Sequence, residues 1–152
     1  MATKTLIVIH CADTKATQDI GVDEIRWWHI KERGWKDIGY AYVIRRDGKL
    51  ELGRDLDKDG DVVEETGAHA ADFNATGIGI CLVGGKGSKG QAENNFTQAQ
   101  FKMLRWLCLE LTSRYPNIKQ IKGHYQLPKV AKACPSFDVT NWCRDNDLGE
   151  YV

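Results

Sequence analysis

The residue pattern predicts one α/β domain over residues 1–152, a mixed central β-sheet flanked by α-helices. Three observations carry that expectation. Residues 5–9 form a β-branched run that reads as a buried strand. Asp47-Gly48 stands between the strand candidates 40–44 and 49–52, a hairpin signal because both turn positions accept positive φ. Thr97 with Gln100 makes a capping-box pattern, and Phe101, Leu104, Cys108 and Leu111 follow at helical spacing as one apolar face. A hairpin followed by alternating helices and strands suits a mixed sheet covered by helices.

The remaining elements follow in chain order. The first strand closes on His10, a polar residue at the mouth of an apolar run. Helix formers dominate residues 22–33, and Gly34 supplies the stop. Residues 77–83 read as a second buried strand, with a glycine-rich loop over 84–90. Pro116 follows the long helix, residues 119–122 read as a short strand, and a long loop leads to Asp138. Asp138 is placed to cap a last helix that contains Trp142.

Composition excludes several classes. With 42 % apolar residues the chain can build one core. Its 21 basic and 21 acidic residues cancel, which argues against a general nucleic-acid binder. The apolar stretch 6–9 is too short for a membrane span or a secretory signal, so a cytoplasmic site of synthesis and no membrane contact are expected. Five cysteines, an odd number, read as reduced thiols in that compartment. Cys81 and Cys108 sit in apolar runs and are expected in the core, whereas Cys134 stands in the polar stretch Lys-Ala-Cys-Pro-Ser.

Three residues can meet at one end of such a sheet: His10 closing the first strand, His124 after a late strand, and Cys134 ten positions on. Nitrogen and sulfur donors of this kind suit zinc, and three protein ligands plus water form the catalytic arrangement. Spacing alone leaves the alternative open that these histidines are ordinary core or surface residues.

A wider pattern bears on the choice. Residues 28–40, Trp-His-Ile-Lys-Glu-Arg-Gly-Trp-Lys-Asp-Ile-Gly-Tyr, resemble a signature of the zinc-dependent N-acetylmuramoyl-L-alanine amidases and peptidoglycan recognition proteins. The resemblance continues through Arg46-Asp47-Gly48, Gly53-Arg54, Gly67-Ala68-His69-Ala70 with Asn74, and Gly77-Ile78-Gly79-Ile80. It closes on Gly123-His124 and residues 133–138, Ala-Cys-Pro-Ser-Phe-Asp. Within the family the chain looks most like the short lysozymes of T-odd phages, which are amidases. The resemblance implies the family fold, one Zn2+ held by His10, His124 and Cys134, and catalytic roles for Tyr40 and Lys132. It further implies hydrolysis of the amide between N-acetylmuramic acid and L-alanine of peptidoglycan. His69 and Asn74 fall on positions facing the muropeptide substrate. A phage endolysin of this kind acts on the cell wall after release, and its phage's RNA polymerase is a further partner the resemblance raises. A monomer is the expected state.

Other residues invite a functional reading. His29, among tryptophans in the first helix, is expected to pack and not to bind metal. Cys11 should point away from His10 in an extended strand. Trp27, Trp28 and Trp35 are expected as core and groove wall. The segment 55–65 carries six acids against one base and matches a calcium loop at positions one, three, five and six. Thr66 stands where the bidentate glutamate belongs, so a solvated hairpin extension is the expectation. Lys119, Lys122, Lys129 and Lys132 give residues 116–134 a positive field without an acid, suited to steering an anionic substrate. Two rival classes remain: a binding module without catalysis, which relatives lacking the cysteine exemplify, and a Cys-His peptidase, which Pro135 disfavours because nucleophilic cysteines usually open a helix.

Overall fold

The computed structural model describes residues 3–152. Seven strands and three α-helices alternate along it: β1 (Leu6–Cys11), β2 (Thr14–Lys15), α1 (Val22–Lys31), β3 (Tyr42–Ile44), β4 (Leu50–Leu52), β5 (Gly77–Leu82), β6 (Gly85–Lys86), α2 (Gln98–Arg114), β7 (Gln120–Gly123) and α3 (Val139–Asp145). Five strands make one sheet in the order β4-β3-β5-β1-β7. All neighbours run parallel except the β3–β4 hairpin at one edge, so the sheet is mixed as the sequence implies. The expected glycine-rich loop contains β6, which pairs with β2 in a two-residue ribbon.

β1 is buried along its whole length because it lies between two parallel neighbours and both faces are covered. Ile7 and Ile9 pack with Leu104, Cys108 and Leu111 of α2 and with Val139 and Cys143 of α3. On the other face Val43 and Cys81 meet Val22 and Ile25 of α1. Leu6 and Val8 pack with Ala70 and Leu127 in a third cluster on the long connections. His10 continues the Leu6–Val8 alternation, so it emerges at the carboxyl end of the sheet on the face away from α2.

The capping box at α2 forms as the spacing implies: Gln100 N donates to Thr97 Oγ1 at 3.1 Å, and Thr97 N to Gln100 Oε1 at 3.0 Å. Gln100 does more than cap. It is fully buried, and its Nε2 donates to the carbonyls of Ile44 and Val83, tying α2 to two strand ends. Gln100→Ala removes both donated bonds, leaves the Ile44 and Val83 carbonyls only their bonds from Val83 N and Arg46 Nη1, strands the Thr97 amide and opens a void in the interior. A loss of about 2–4 kcal/mol in unfolding free energy is expected, measured by denaturant titration.

Segment 55–65 departs from the expected hairpin extension. It forms turns and bends between β4 and β5, without a strand. Aspartates fold it by accepting from nearby amides, Gly60 N to Asp55 Oδ2 at 2.9 Å and Asp61 N to Asp59 Oδ1 at 2.8 Å. Short-range Asx bonds of this type compete with ladder pairing.

Candidate active site

Parallel strands that end together leave a crevice at their carboxyl edge, the usual place for a ligand in such a sheet. Here β1 delivers His10, and its neighbour β7 ends at Gly123, one residue before His124. The register pairs Ile9 with Gly123, which sets the two imidazoles side by side, ring centroids 4.6 Å apart. A short 3-10 turn, His124–Gln126, follows at once, because Gly123 N donates to Gln126 Oε1 at 2.8 Å. The loop carrying Cys134 is then pinned over this end. Tyr125 N donates to the Cys134 carbonyl at 2.9 Å, and Ser136 Oγ donates to the Gly85 carbonyl at 3.2 Å.

The result brings one ligand atom from each of His10, His124 and Cys134 within 4.8 Å of the others. His10 is 1 % exposed, while His124 and Cys134 are half-buried. These residues line a cavity of about 590 Å³ together with Tyr40, His69 and Lys132. Its continuation, lined by Asn74, Lys129 and Lys132, extends past His69 and His124. Two nitrogen donors, one sulfur donor and an open cavity beside them match a metal site that keeps a position for substrate or water.

Electrostatics prepare these donors. Burial, then the nearby His69, His124 and Lys132, hold His10 well below the usual imidazole range. Burial and the Lys132 charge lower His124 as well. Both rings therefore stay neutral near pH 7, the form that donates a lone pair. The Cys134 thiol is pushed well up by the neighbouring Cys11 thiol and by burial, so a metal binding there would have to displace its proton. Burial likewise raises the Tyr40 phenol well above its ordinary range, with the Cys81, Cys134 and Cys11 thiols adding to it. Tyr40 is thus an O–H donor at neutral pH and not a phenolate.

His29 packs as the sequence implies. Its Nδ1 accepts from Gly39 N at 2.9 Å, its ring lies 4.7 Å from Trp35 and 5.5 Å from Tyr40, and burial, with Arg33 and Arg54, holds it down at about 4. It thereby supports Tyr40 from behind. Trp28 and Trp35 line the cavity, but Trp27 is 56 % exposed and belongs to neither core nor groove wall. Of the four lysines, Lys129 and Lys132 reach the groove; Lys119 and Lys122 flank or occupy β7 and do not line it.

Cys11 departs from the strand-alternation expectation. Its amide donates to Cys134 Sγ at 3.2 Å, which makes the two thiols neighbours. Alternation governs a residue only while the strand continues; β1 ends at Cys11, and Asp13 adopts φ +58 as the chain turns away. The Cys134 loop closes over that end, which a local pattern does not reveal. His69, expected to face substrate, sits with Nδ1 2.9 Å from His10 Nε2 while also lining the groove. Asn74 Oδ1 accepts from the amides of His69 and Ala70 at 2.7 and 2.8 Å, so it shapes the loop that presents His69.

Comparison with known proteins accords with this geometry. Residues 2–137 match the family model described as N-acetylmuramoyl-L-alanine amidase. The endolysin of Klebsiella phage KP32 is 48 % identical over 142 residues, 93 % of this chain and 87 % of that protein. The endolysin of Escherichia phage T7 is 44 % identical over 142 residues, with the same coverage of 93 % and 87 %. Among solved structures, the N-acetylmuramoyl-L-alanine amidase LysC from Clostridium intestinale superposes with a TM-score of 0.74 at 26 % identity, over 96 % of this chain and 87 % of that one. Drosophila PGRP-LB shares the fold with a TM-score of 0.74 at 21 % identity, over 100 % of this chain and 86 % of that one. The chain belongs to the N-acetylmuramoyl-L-alanine amidase family and is a peptidoglycan amidase of the phage endolysin type.

Proposed function

We propose that the enzyme is zinc-dependent, with one Zn2+ held by His10, His124 and Cys134, and that Tyr40 and Lys132 act on the scissile amide while His69 and Asn74 border the muropeptide. The observation that carries this is the convergence of the three donors on the floor of a cavity that Tyr40 and Lys132 also line. Bound zinc supplies Lewis-acid polarisation of the carbonyl and lowers the pKa of a water toward about 7.

The chain's own groups do the rest. Water adds to the carbonyl carbon, the C–N bond breaks, and the lactyl carboxylate and the free amine of L-alanine leave. Lys132 places an ammonium in the cavity, where it stabilises negative charge on the carbonyl oxygen in the transition state. The Tyr40 ring lies 5.0 Å from His10, so its protonated hydroxyl can orient the water or hand a proton to the departing amine. Incubation with purified cell walls tests the reaction: new amino groups on L-alanine, together with one zinc per chain, support it. New reducing sugar ends, or full hydrolysis after exhaustive chelation, overturn it.

Stem peptides carry carboxylates, and Lys129 with Lys132 offers them a local positive field. Lys129→Glu is expected to weaken wall binding several-fold at low salt and much less at physiological salt, where screening is stronger. Lys119→Glu, away from the groove, serves as the control. Co-sedimentation with walls reads both.

The same reading makes the protein a monomer synthesised in the cytoplasm of the producing cell and active on the wall after release. Among the described residues no helix is long and apolar enough to cross a membrane. The phage RNA polymerase stays a second partner in this reading, tested by co-purification of the two proteins.

A further inference from the structure

We propose that His69 is a positioning residue whose task is to fix the tautomer and rotation of His10. This rests on the reading of His10 as a metal ligand. The bond itself is plain: His69 Nδ1 lies 2.9 Å from His10 Nε2, with the rings at 86° to one another. His69 Nε2 lies 3.3 Å from the Gly77 carbonyl. A carbonyl only accepts, so His69 carries its proton on Nε2 and leaves Nδ1 as an acceptor. His10 then carries its proton on Nε2 and donates to His69. One nitrogen of His10 remains with a free lone pair, Nδ1, and that is the atom left for metal. Ligating histidines characteristically give their second N–H to a fixed acceptor, which holds the ring and raises its basicity.

The fold makes room for this arrangement at three places. A Cβ on Gly79 would stand 2.7 Å from His69 Cγ and 2.9 Å from its Nδ1. One on Gly67 would stand 2.6 Å from His69 Cδ2, and one on Gly77 would come 3.4 Å from Cε1 and 2.9 Å from the Phe73 carbonyl. β5 thus presents glycine at both positions facing the ring, in a strand otherwise built of Ile, Cys and Leu. From the other side Asn74 Oδ1 gathers the amides of His69 and Ala70, which fixes the backbone that bears the ring. A residue whose only role was to touch substrate would not need its inner nitrogen spent on His10 and its outer one on a strand carbonyl.

Three variants separate this from a structural role. His69→Ala removes the acceptor; His69→Asn restores an oxygen close to the position of Nδ1; Gly79→Ala keeps the imidazole and displaces it. Two readouts are taken on each: zinc affinity by competition with a chromophoric chelator, and the ¹⁵N signature of His10 in the metal-free chain at mildly alkaline pH. In the unaltered protein His10 is expected as the Nε2–H tautomer alone. His69→Ala and Gly79→Ala are expected to mix its tautomers and to lower zinc affinity about 10–100-fold, with folding checked by amide spectra. His69→Asn should stay within about threefold of the parent. A single Nε2–H tautomer and parental zinc affinity in His69→Ala overturn the proposal, as does an Nδ1–H His10 in the parent. Should the parent bind no zinc at all, the metal reading fails, and the His10 tautomer in the three variants still decides whether His69 sets it.

Discussion

Cys134→Ala is expected to lose bound zinc and wall hydrolysis together, by at least a hundredfold each, while keeping the fold. His124→Ala should do the same. With His10 these side chains are the whole donor set at this site among the described residues, and a metal held by two ligands plus water is bound far more weakly than one held by three. Neither substitution should unfold the chain. Cys134 sits in an ordered loop outside the large core cluster, and His124 opens a short turn that Gln126 caps independently. The same chemistry gives a sign for pH. His10 and His124 are already neutral near pH 7, so the proton in the way is that on Cys134, and zinc affinity should fall as pH falls. Metal analysis after dialysis, read alongside released amino groups, checks both variants. Retention of a full zinc equivalent by Cys134→Ala would remove sulfur from the site.

Lys132→Ala is expected to keep its zinc and most of its affinity for wall fragments and to lose about a hundredfold or more in turnover. An ammonium matters most where negative charge appears, in the transition state, and least in the bound substrate. Lys132 is suited to this because it is an exposed side chain on the cavity rim with no salt-bridge partner among the described residues, so no carboxylate neutralises it. Tyr40→Phe removes one hydroxyl and leaves the ring that packs between His10 and His29, so it too should lose turnover and keep metal. Turnover and zinc content measured on one preparation decide the matter. A Lys132→Ala enzyme within about threefold of the parent, a barrier change under 1 kcal/mol, would reduce the lysine to solvated surface.

Much of this protein was legible before any coordinates. The β-branched apolar run that makes β1, the Asp47-Gly48 turn with Gly48 at φ +89, and the Thr97–Gln100 box are each encoded within a few residues. Donors at strand ends were legible for the same reason: a polar residue closing an apolar run marks the mouth of a sheet. Local signals of this kind carry the element order and the residue types of the site.

Tertiary structure alone decided which groups touch. His10 and His124 meet because β1 and β7 became parallel neighbours in one register, a pairing of segments far apart in sequence that no window contains. His69 lines the groove and is also the partner of His10 because Gly67, Gly77 and Gly79 leave space, and a glycine in a sequence does not say what occupies its vacancy. Cys11 joined Cys134 because its strand ended and a distant loop closed over it. Four lysines in one stretch became two in the groove, since charge is countable along a chain but the field at a site depends on distance and direction.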